Sequence, residues 1–222
     1  MRVLGLIPAY DAAGMVGVVV EKALKYLPEV LVVDDGSSDN TAGEASGAGA
    51  KIISHPRNLG KGAALKTGFE YALEKGYDAV LTMDADGQHD PDEIPKLLSA
   101  VSSDAGIVVG ARLTEKDKIP PARYRANMVG VKCISWRARN PLLDSQSGFR
   151  IYKAELLREM KVKSSGFEAE SEMLMRAGIM GYKIISVPVR TIYSEEALKR
   201  SHFRNVPDTY HICIMFLRSF FW

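Results

Sequence analysis

Ala79-Val80-Leu81-Thr82-Met83 runs directly into Asp84-Ala85-Asp86-Gly87-Gln88. The first half is a short apolar run of the kind that fills a buried strand, and the second carries carboxyl or amide side chains at alternate positions. Five similar runs recur along the chain: Val3 to Ile7, Val30 to Val33, Lys51 to Ser54, Ile107 to Val109 and Lys183 to Val189. Segments of helical period lie between them. Strands alternating with helices from the first residue predict an α/β fold, with a Rossmann-like, mostly parallel sheet covered by helices on both faces.

The helical segments carry start and stop signals of their own. Lys61 to Lys75 places Leu65, Phe69, Ala72 and Leu73 on one face, and Gly76 follows as a C-terminal stop. Val16 to Leu27 reads as a helix ended by Pro28. Asp90-Pro91-Asp92-Glu93 opens another, with an acceptor side chain at the cap, proline in the first turn and acids at the positive dipole end. Further helices are expected over Arg123 to Arg139 and Gly166 to Gly178. Leu113 to Ala122, with two prolines and four charges, reads as a loop.

Composition limits the function classes. A chain of 222 residues, 46% hydrophobic and 25% charged, is long enough for one globular domain spanning residues 1–222. Its net charge of +2 creates no whole-molecule field, so no nucleic-acid partner is expected. Cys133 and Cys213 lack metal-ligand spacing and read as idle thiols in a reducing compartment. No signal-peptide pattern precedes the first strand, and no run reaches the roughly 18 apolar residues of a membrane span. A cytoplasmic protein is expected. The aromatic end, Ile212 to Trp222, falls in a C-terminal helix expected over 205–222, which either closes the core or lies at a membrane surface on the cytoplasmic side.

Ligands of open α/β sheets bind beyond the carboxyl ends of the strands. Pro8-Ala9-Tyr10-Asp11, Asp34-Asp35-Gly36-Ser37-Ser38-Asp39 and Asp84-Ala85-Asp86-Gly87-Gln88-His89 each follow such an end. In extended backbone Asp84, Asp86 and Gln88 would share a face, giving three oxygen ligands suited to Mg²⁺ or Mn²⁺. A lone Asp-x-Asp also caps helices and turns, and the second site also reads as a turn and helix cap. Asn58-Leu59-Gly60-Lys61-Gly62 enters a helix with glycines that permit close approach to a ligand, but it has neither P-loop nor dinucleotide-fingerprint spacing.

Five motifs occur in one order: Ile7-Pro-Ala-Tyr-Asp11, Val33-Asp-Asp-Gly-Ser-Ser-Asp39, Asn58-Leu-Gly-Lys-Gly62, Asp84-Ala-Asp-Gly-Gln-His-Asp90 and Asp144-Ser-Gln-Ser-Gly-Phe-Arg150. Together they resemble family 2 glycosyltransferases, most of all the dolichyl- or polyprenyl-phosphate mannose or glucose synthase branch. The resemblance implies an A-type glycosyltransferase fold and an inverting transfer from a nucleotide sugar held through a divalent metal, Mg²⁺ or Mn²⁺. On it, residues 1 to about 110 form a nucleotide-sugar-binding half and residues 111 to about 204 an acceptor-binding half.

Carried over by position, Pro8, Tyr10 and Asp35 would hold the nucleoside, while Asp84, Asp86 and Gln88 would hold the metal and through it the donor diphosphate. Asp11, Lys61 and Ala85 are further substrate-binding positions. Arg112, Arg123 and Asn127 match the branch's grip on a lipid phosphate, and guanidinium suits that task because it binds phosphate bidentately. His202 and Arg204, in Lys199-Arg-Ser-His-Phe-Arg204, match a basic segment over the donor. Asp86, Asp144, Arg112 and Arg123 are the candidates to act at the reacting centre, with Glu170 a second carboxylate after Asp144.

The family's usual glutamate after the tyrosine-linked position is Ala12 here, which leaves the choice of base open. The downstream acid pair of hydroxyl-transferring members is replaced by Phe167-Glu-Ala-Glu-Ser-Glu172, which favours a phosphate acceptor. The alternatives are a saccharide-hydroxyl acceptor or a catalytically weak nucleotide-sugar-binding protein.

Overall fold

A computed structural model describes residues 1–112, 121–192 and 205–222, with side chains described outside 121–127 and 205–209. Its elements alternate as the sequence predicts. In chain order they are β1 (Val3–Ala9), α1 (Val16–Ala23), β2 (Val30–Asp34), α2 (Thr41–Gly47), β3 (Lys51–Ser54), α3 (Lys61–Glu74) and β4 (Ala79–Thr82). A 3-10 turn (Pro91–Glu93) leads into α4 (Ile94–Ser99), followed by β5 (Ala105–Ala111), α5 (Pro121–Ala138), β6 (Arg150–Lys153), α6 (Ala154–Glu159), α7 (Glu168–Ile179), β7 (Lys183–Pro188) and α8 (Asn205–Arg218).

Among the described residues the strands form one seven-stranded sheet in the order β3-β2-β1-β4-β6-β5-β7. Every neighbouring pair is parallel except the two made by β6, which runs antiparallel to β4 and β5. Both faces of the sheet are buried, as a parallel sheet requires. Alternate residues supply the two faces: Leu4, Leu6, Leu31 and Val33 pack toward α3 and α7, while Val3, Ile7, Val30 and Val32 pack toward α1 and α4.

Local signals explain where the elements stop. Gly76 has φ of +69°, the left-handed conformation that ends α3, and the Tyr77 N–H returns to the Ala72 carbonyl at 3.0 Å. Asp90 caps the following turn, its carboxylate accepting from the Asp92 N–H at 3.1 Å. Gly68 lets α3 lie directly on β1, because a Cβ there would come within 2.2 Å of Leu6.

Some expectations need correction. The strand β6 has no counterpart among the predicted runs: it is four residues long and starts with a charged residue, so its composition hides it. The backbone from Asp84 to Gln88 is a turn, not a continuation of β4, and Gly87 adopts φ of +74° within it. The helix expected from Arg123 begins at Pro121. The rest of the predicted loop lies at positions 113–120, outside the described residues.

Candidate active site

The ends of β1, β2, β4 and β5 open at one edge of the sheet, and the loop 144–149 reaches the same edge because β6 starts there. Pairing fixes this: Ala9 lies opposite Asp34, while Arg150 lies opposite both Thr82 and Val109. The antiparallel strand thus brings the Asp144–Arg150 motif beside the Asp84 turn. The Thr82 hydroxyl fastens the two, donating to the Gly148 carbonyl at 2.8 Å.

Asp86 Oδ1 accepts from the Gln88 N–H at 2.9 Å, closing the turn. Behind it, buried His89 stacks on Phe149 with ring centroids 5.3 Å apart, and its Nδ1 accepts from the Asp84 N–H at 3.1 Å. Burial lowers the His89 pKa to about 4, so the ring is neutral and serves as a backstop for Asp84. Lys61 reaches across from the first turn of α3: its Nζ lies 2.6 Å from Asp84 Oδ1 and 3.0 Å from Glu170 Oε2. Burial opposes the Lys61 charge, but these two carboxylates more than offset it and raise its pKa. Asp84 is correspondingly held well below the usual carboxylate range, with Lys61 outweighing the effect of burial.

Asp86 goes the other way. Burial and the neighbouring Asp84 charge push its carboxyl up to about 6. Two crowded carboxylates, one of them reluctant to ionise, make a place where a hard cation relieves repulsion. The donor set of two carboxylates and the Gln88 amide, all oxygen, fits Mg²⁺ or Mn²⁺ with positions left for substrate phosphate. Among the described residues no group of three or more His, Cys, Asp or Glu side chains is arranged to hold a metal, so the third protein ligand here would be the Gln88 amide.

Asp144, the first carboxylate expected near the reacting centre, is tightly engaged. Arg112 Nε donates to its Oδ2 at 2.7 Å and Arg112 Nη2 to its Oδ1 at 3.2 Å; the Gln146 and Ser147 N–H groups donate to Oδ1 at 2.8 and 3.2 Å. Although burial opposes it, Arg112 keeps this carboxyl well below the usual range. Glu170 is also buried; one oxygen meets Lys61, and the other, Oε1, has no hydrogen-bond partner among the described residues.

On the nucleoside side, Pro8, near the end of β1, and Tyr10 and Asp11, just after it, are half-buried. Asp11 sits at φ of +45° and accepts from the Ser38 N–H at 2.8 Å, which ties the first loop to the second. Asp35 is more occupied than its sequence position suggests. It accepts from the Leu59 and Gly60 N–H groups at 3.0 and 2.7 Å and pairs with His55 Nδ1 at 2.6 Å, so it holds the 58–62 loop in place.

Ala85 is buried inside the turn. Arg123 and Asn127 fall in the first turns of α5, where side chains are outside the described residues, and His202 and Arg204 lie outside them altogether.

Two participants escaped the sequence reading: His89 and Gly148 act through contacts that no spacing reveals. Lys61 and Glu170 were both named from sequence, but their pairing, across 109 positions, was not. A Cβ on Gly148 would lie 2.7 Å from both Asp84 carboxylate oxygens. Gly148→Ala is therefore expected to displace Asp84 and weaken Mn²⁺ binding roughly tenfold or more while the fold survives. Calorimetric Mn²⁺ titration alongside circular dichroism checks this; unchanged affinity would contradict it.

The Glycosyl transferase family 2 model matches residues 6–222. The chain belongs to glycosyltransferase family 2. This family 2 enzyme is 32% identical to an undecaprenyl-phosphate mannosyltransferase of Micrococcus luteus, the match covering 88% of this chain and 85% of that protein. It is 31% identical to a UDP-N-acetylglucosamine–dolichyl-phosphate N-acetylglucosaminyltransferase of Methanococcus voltae, over 88% of this chain and 87% of the other. A polyprenol monophosphomannose synthase of Mycolicibacterium smegmatis is 29% identical, with 93% and 83% covered. Among solved structures, glucosyl-3-phosphoglycerate synthase from Mycobacterium tuberculosis, in complex with Mg²⁺ and uridine diphosphate, superposes with a TM-score of 0.74 at 18% identity, over 98% of this chain and 79% of that one. This likeness is one of fold, and it agrees with the A-type glycosyltransferase architecture.

Proposed function

We propose that this glycosyltransferase is an inverting, metal-dependent hexosyltransferase that moves a hexose from a nucleotide sugar, of the GDP-mannose or UDP-glucose type, to a polyprenyl or dolichyl phosphate. The observation that carries the acceptor choice is the state of Asp144. A hydroxyl acceptor needs a base within hydrogen-bond reach, whereas a phosphate is already ionised at neutral pH and needs positioning and charge shielding. Asp144 is clamped by Arg112 and two backbone N–H groups and kept far from a base's useful pKa, so it orients Arg112 rather than taking a proton. The relatives named for polyprenyl- and dolichyl-phosphate transfer support the same reading.

Asp84, Asp86 and Gln88 would hold a Mg²⁺ or Mn²⁺ ion, whose chemistry is to neutralise the donor diphosphate as a leaving group. Pro8, Tyr10, Asp11 and Asp35 would shape the nucleoside end, and Lys61, His202 and Arg204 would face the diphosphate. Arg112, Arg123 and Asn127 would orient the acceptor phosphate toward the sugar. No helix among the described residues is long and apolar enough to cross a membrane. Trp136, Leu217, Phe220 and Phe221 are exposed together with basic Arg139 and Arg218, which supports peripheral contact with the membrane that carries such a lipid.

The test is transfer by the full chain with Mn²⁺, using GDP-mannose and UDP-glucose as donors and polyprenyl phosphate or free saccharides as acceptors. Product on the lipid phosphate alone, lost with EDTA, is the expected result. Product formed only on a free saccharide would overturn the acceptor assignment, and full activity in EDTA would overturn the metal.

A further inference from the structure

Lys61 occupies an unusual position for a residue expected to face the donor. Its ammonium is shared by two carboxylates from different parts of the fold, 2.6 Å from Asp84 and 3.0 Å from Glu170, and its side chain is only 14% exposed. Asp84 is thus neutralised by a cation belonging to the protein itself. If Asp84 also takes part in holding a divalent ion, one carboxylate has two claimants. The partner carboxylate shows where the conflict resolves: Glu170 uses Oε2 on Lys61, while Oε1 is buried with no hydrogen-bond partner among the described residues. A buried carboxylate oxygen left unpaired is costly and marks a seat prepared for a donor.

The framework around these groups is asymmetric. Lys61 opens α3, and Glu170 lies in the first turn of α7. The two helix starts are locked together: the Ala63 N–H donates to the Ser165 carbonyl at 3.1 Å, and a Cβ on Gly62 would lie 2.7 Å from the Ala169 Cβ. Asp84 instead sits on a turn and is 27% exposed. Asp84 is the more accessible partner, while helix packing keeps the lysine and glutamate close together. Ejecting the lysine would strand Glu170 as a buried unpaired charge, so Lys61 must remain.

We propose that Lys61 is a resident counter-ion that holds Asp84 while the divalent ion is absent and passes wholly to Glu170, engaging both its oxygens, when Asp84 turns to the metal. The proposal rests on the metal-binding reading above. It makes Glu170 a positioning residue for metal loading, acting through Lys61 and not on the sugar.

The experiment is a double-mutant cycle on Mn²⁺ affinity in the full chain, read from the electron paramagnetic resonance signal of free Mn²⁺ without donor or acceptor. Lys61→Met is expected to tighten Mn²⁺ binding about tenfold by freeing Asp84, and Glu170→Gln to weaken it about tenfold by keeping the lysine on Asp84. The decisive comparison is the double variant. It should match Lys61→Met, because without the lysine Glu170 has nothing to receive. A glutamine effect of the same size with and without Lys61 would show simple through-space attraction and overturn the hand-over.

Asp86→Asn separates this failure from a failure of the metal reading. If it leaves wild-type Mn²⁺ binding intact, the metal site is misplaced and the hand-over falls with it. An additive cycle on binding that Asp86→Asn abolishes overturns the hand-over alone. Lys61→Gln, which keeps a donor for both carboxylates, takes the methionine's place in the cycle if that variant does not fold.

Discussion

Replacing Asp86 with asparagine is expected to lower sugar transfer at least about a hundredfold while making the metal-free protein more stable. The loss follows from removing one of the two carboxylates that would hold the metal. The gain follows from linkage. Asp86 has a folded pKa of about 6 against an ordinary 3.8, so the unfolded chain releases this proton first. Stability is therefore unaffected below 3.8, falls as pH rises from there through about 6, and carries the full penalty at neutral pH. Asparagine removes that penalty, roughly 1 to 3 kcal/mol, or several degrees in melting temperature for a chain of this size. Calorimetric melting of both proteins in EDTA at pH 5 and pH 7.5 measures it. The gain should appear at pH 7.5 and shrink at pH 5, and adding Mn²⁺ should stabilise only the wild type. A variant less stable than wild type at pH 7.5 in EDTA would contradict the argument.

Arg150 carries the second large effect, on stability. It is 0% exposed, and its guanidinium makes four hydrogen bonds: Nε to the Ser147 carbonyl at 2.6 Å, Nη1 to the Glu170 carbonyl at 2.7 Å and the Tyr152 hydroxyl at 3.2 Å, and Nη2 to the Ser145 carbonyl at 2.9 Å. One buried side chain thus ties the 144–149 loop to the first turn of α7. Arg150→Met would leave those buried oxygens without donors, each costing on the order of 1–3 kcal/mol. A total loss of about 3–5 kcal/mol is expected, lowering the melting temperature by roughly 10 °C. Lysine, a single compact cation without the planar fork, should rescue little of it. Denaturant unfolding measures the change; a methionine variant within 1 kcal/mol of wild type would show that water or repacking satisfies the loop.

The sheet was largely legible in the sequence because a two-sided sheet demands apolar runs, and six of its seven strands are such runs. Helix ends could be read at Gly76 and Asp90 because the cap is a property of a few consecutive residues. The site was legible only in part. Asp84, Asp86 and Gln88 were chosen on the premise of extended backbone, yet the stretch is a turn in which Gly87 takes a left-handed conformation.

The sequence by itself determined the α/β class, the strand ends from which the candidate residues come, and the motif order that resembles family 2 glycosyltransferases. These are local properties, written in periodicity and in residues adjacent along the chain. Tertiary structure alone decided which charges meet. The antiparallel β6 carries the 144–149 loop to Asp84, helix packing sets Lys61 against Glu170, and Arg112 claims Asp144 across 32 positions. The strength and pKa of such pairs depend on distance and burial, which no linear spacing encodes. The Asp84–Gln88 stretch therefore reads in sequence as three oxygen donors, and in the fold as one ion-paired carboxylate, one that resists ionisation, and a lysine already in attendance.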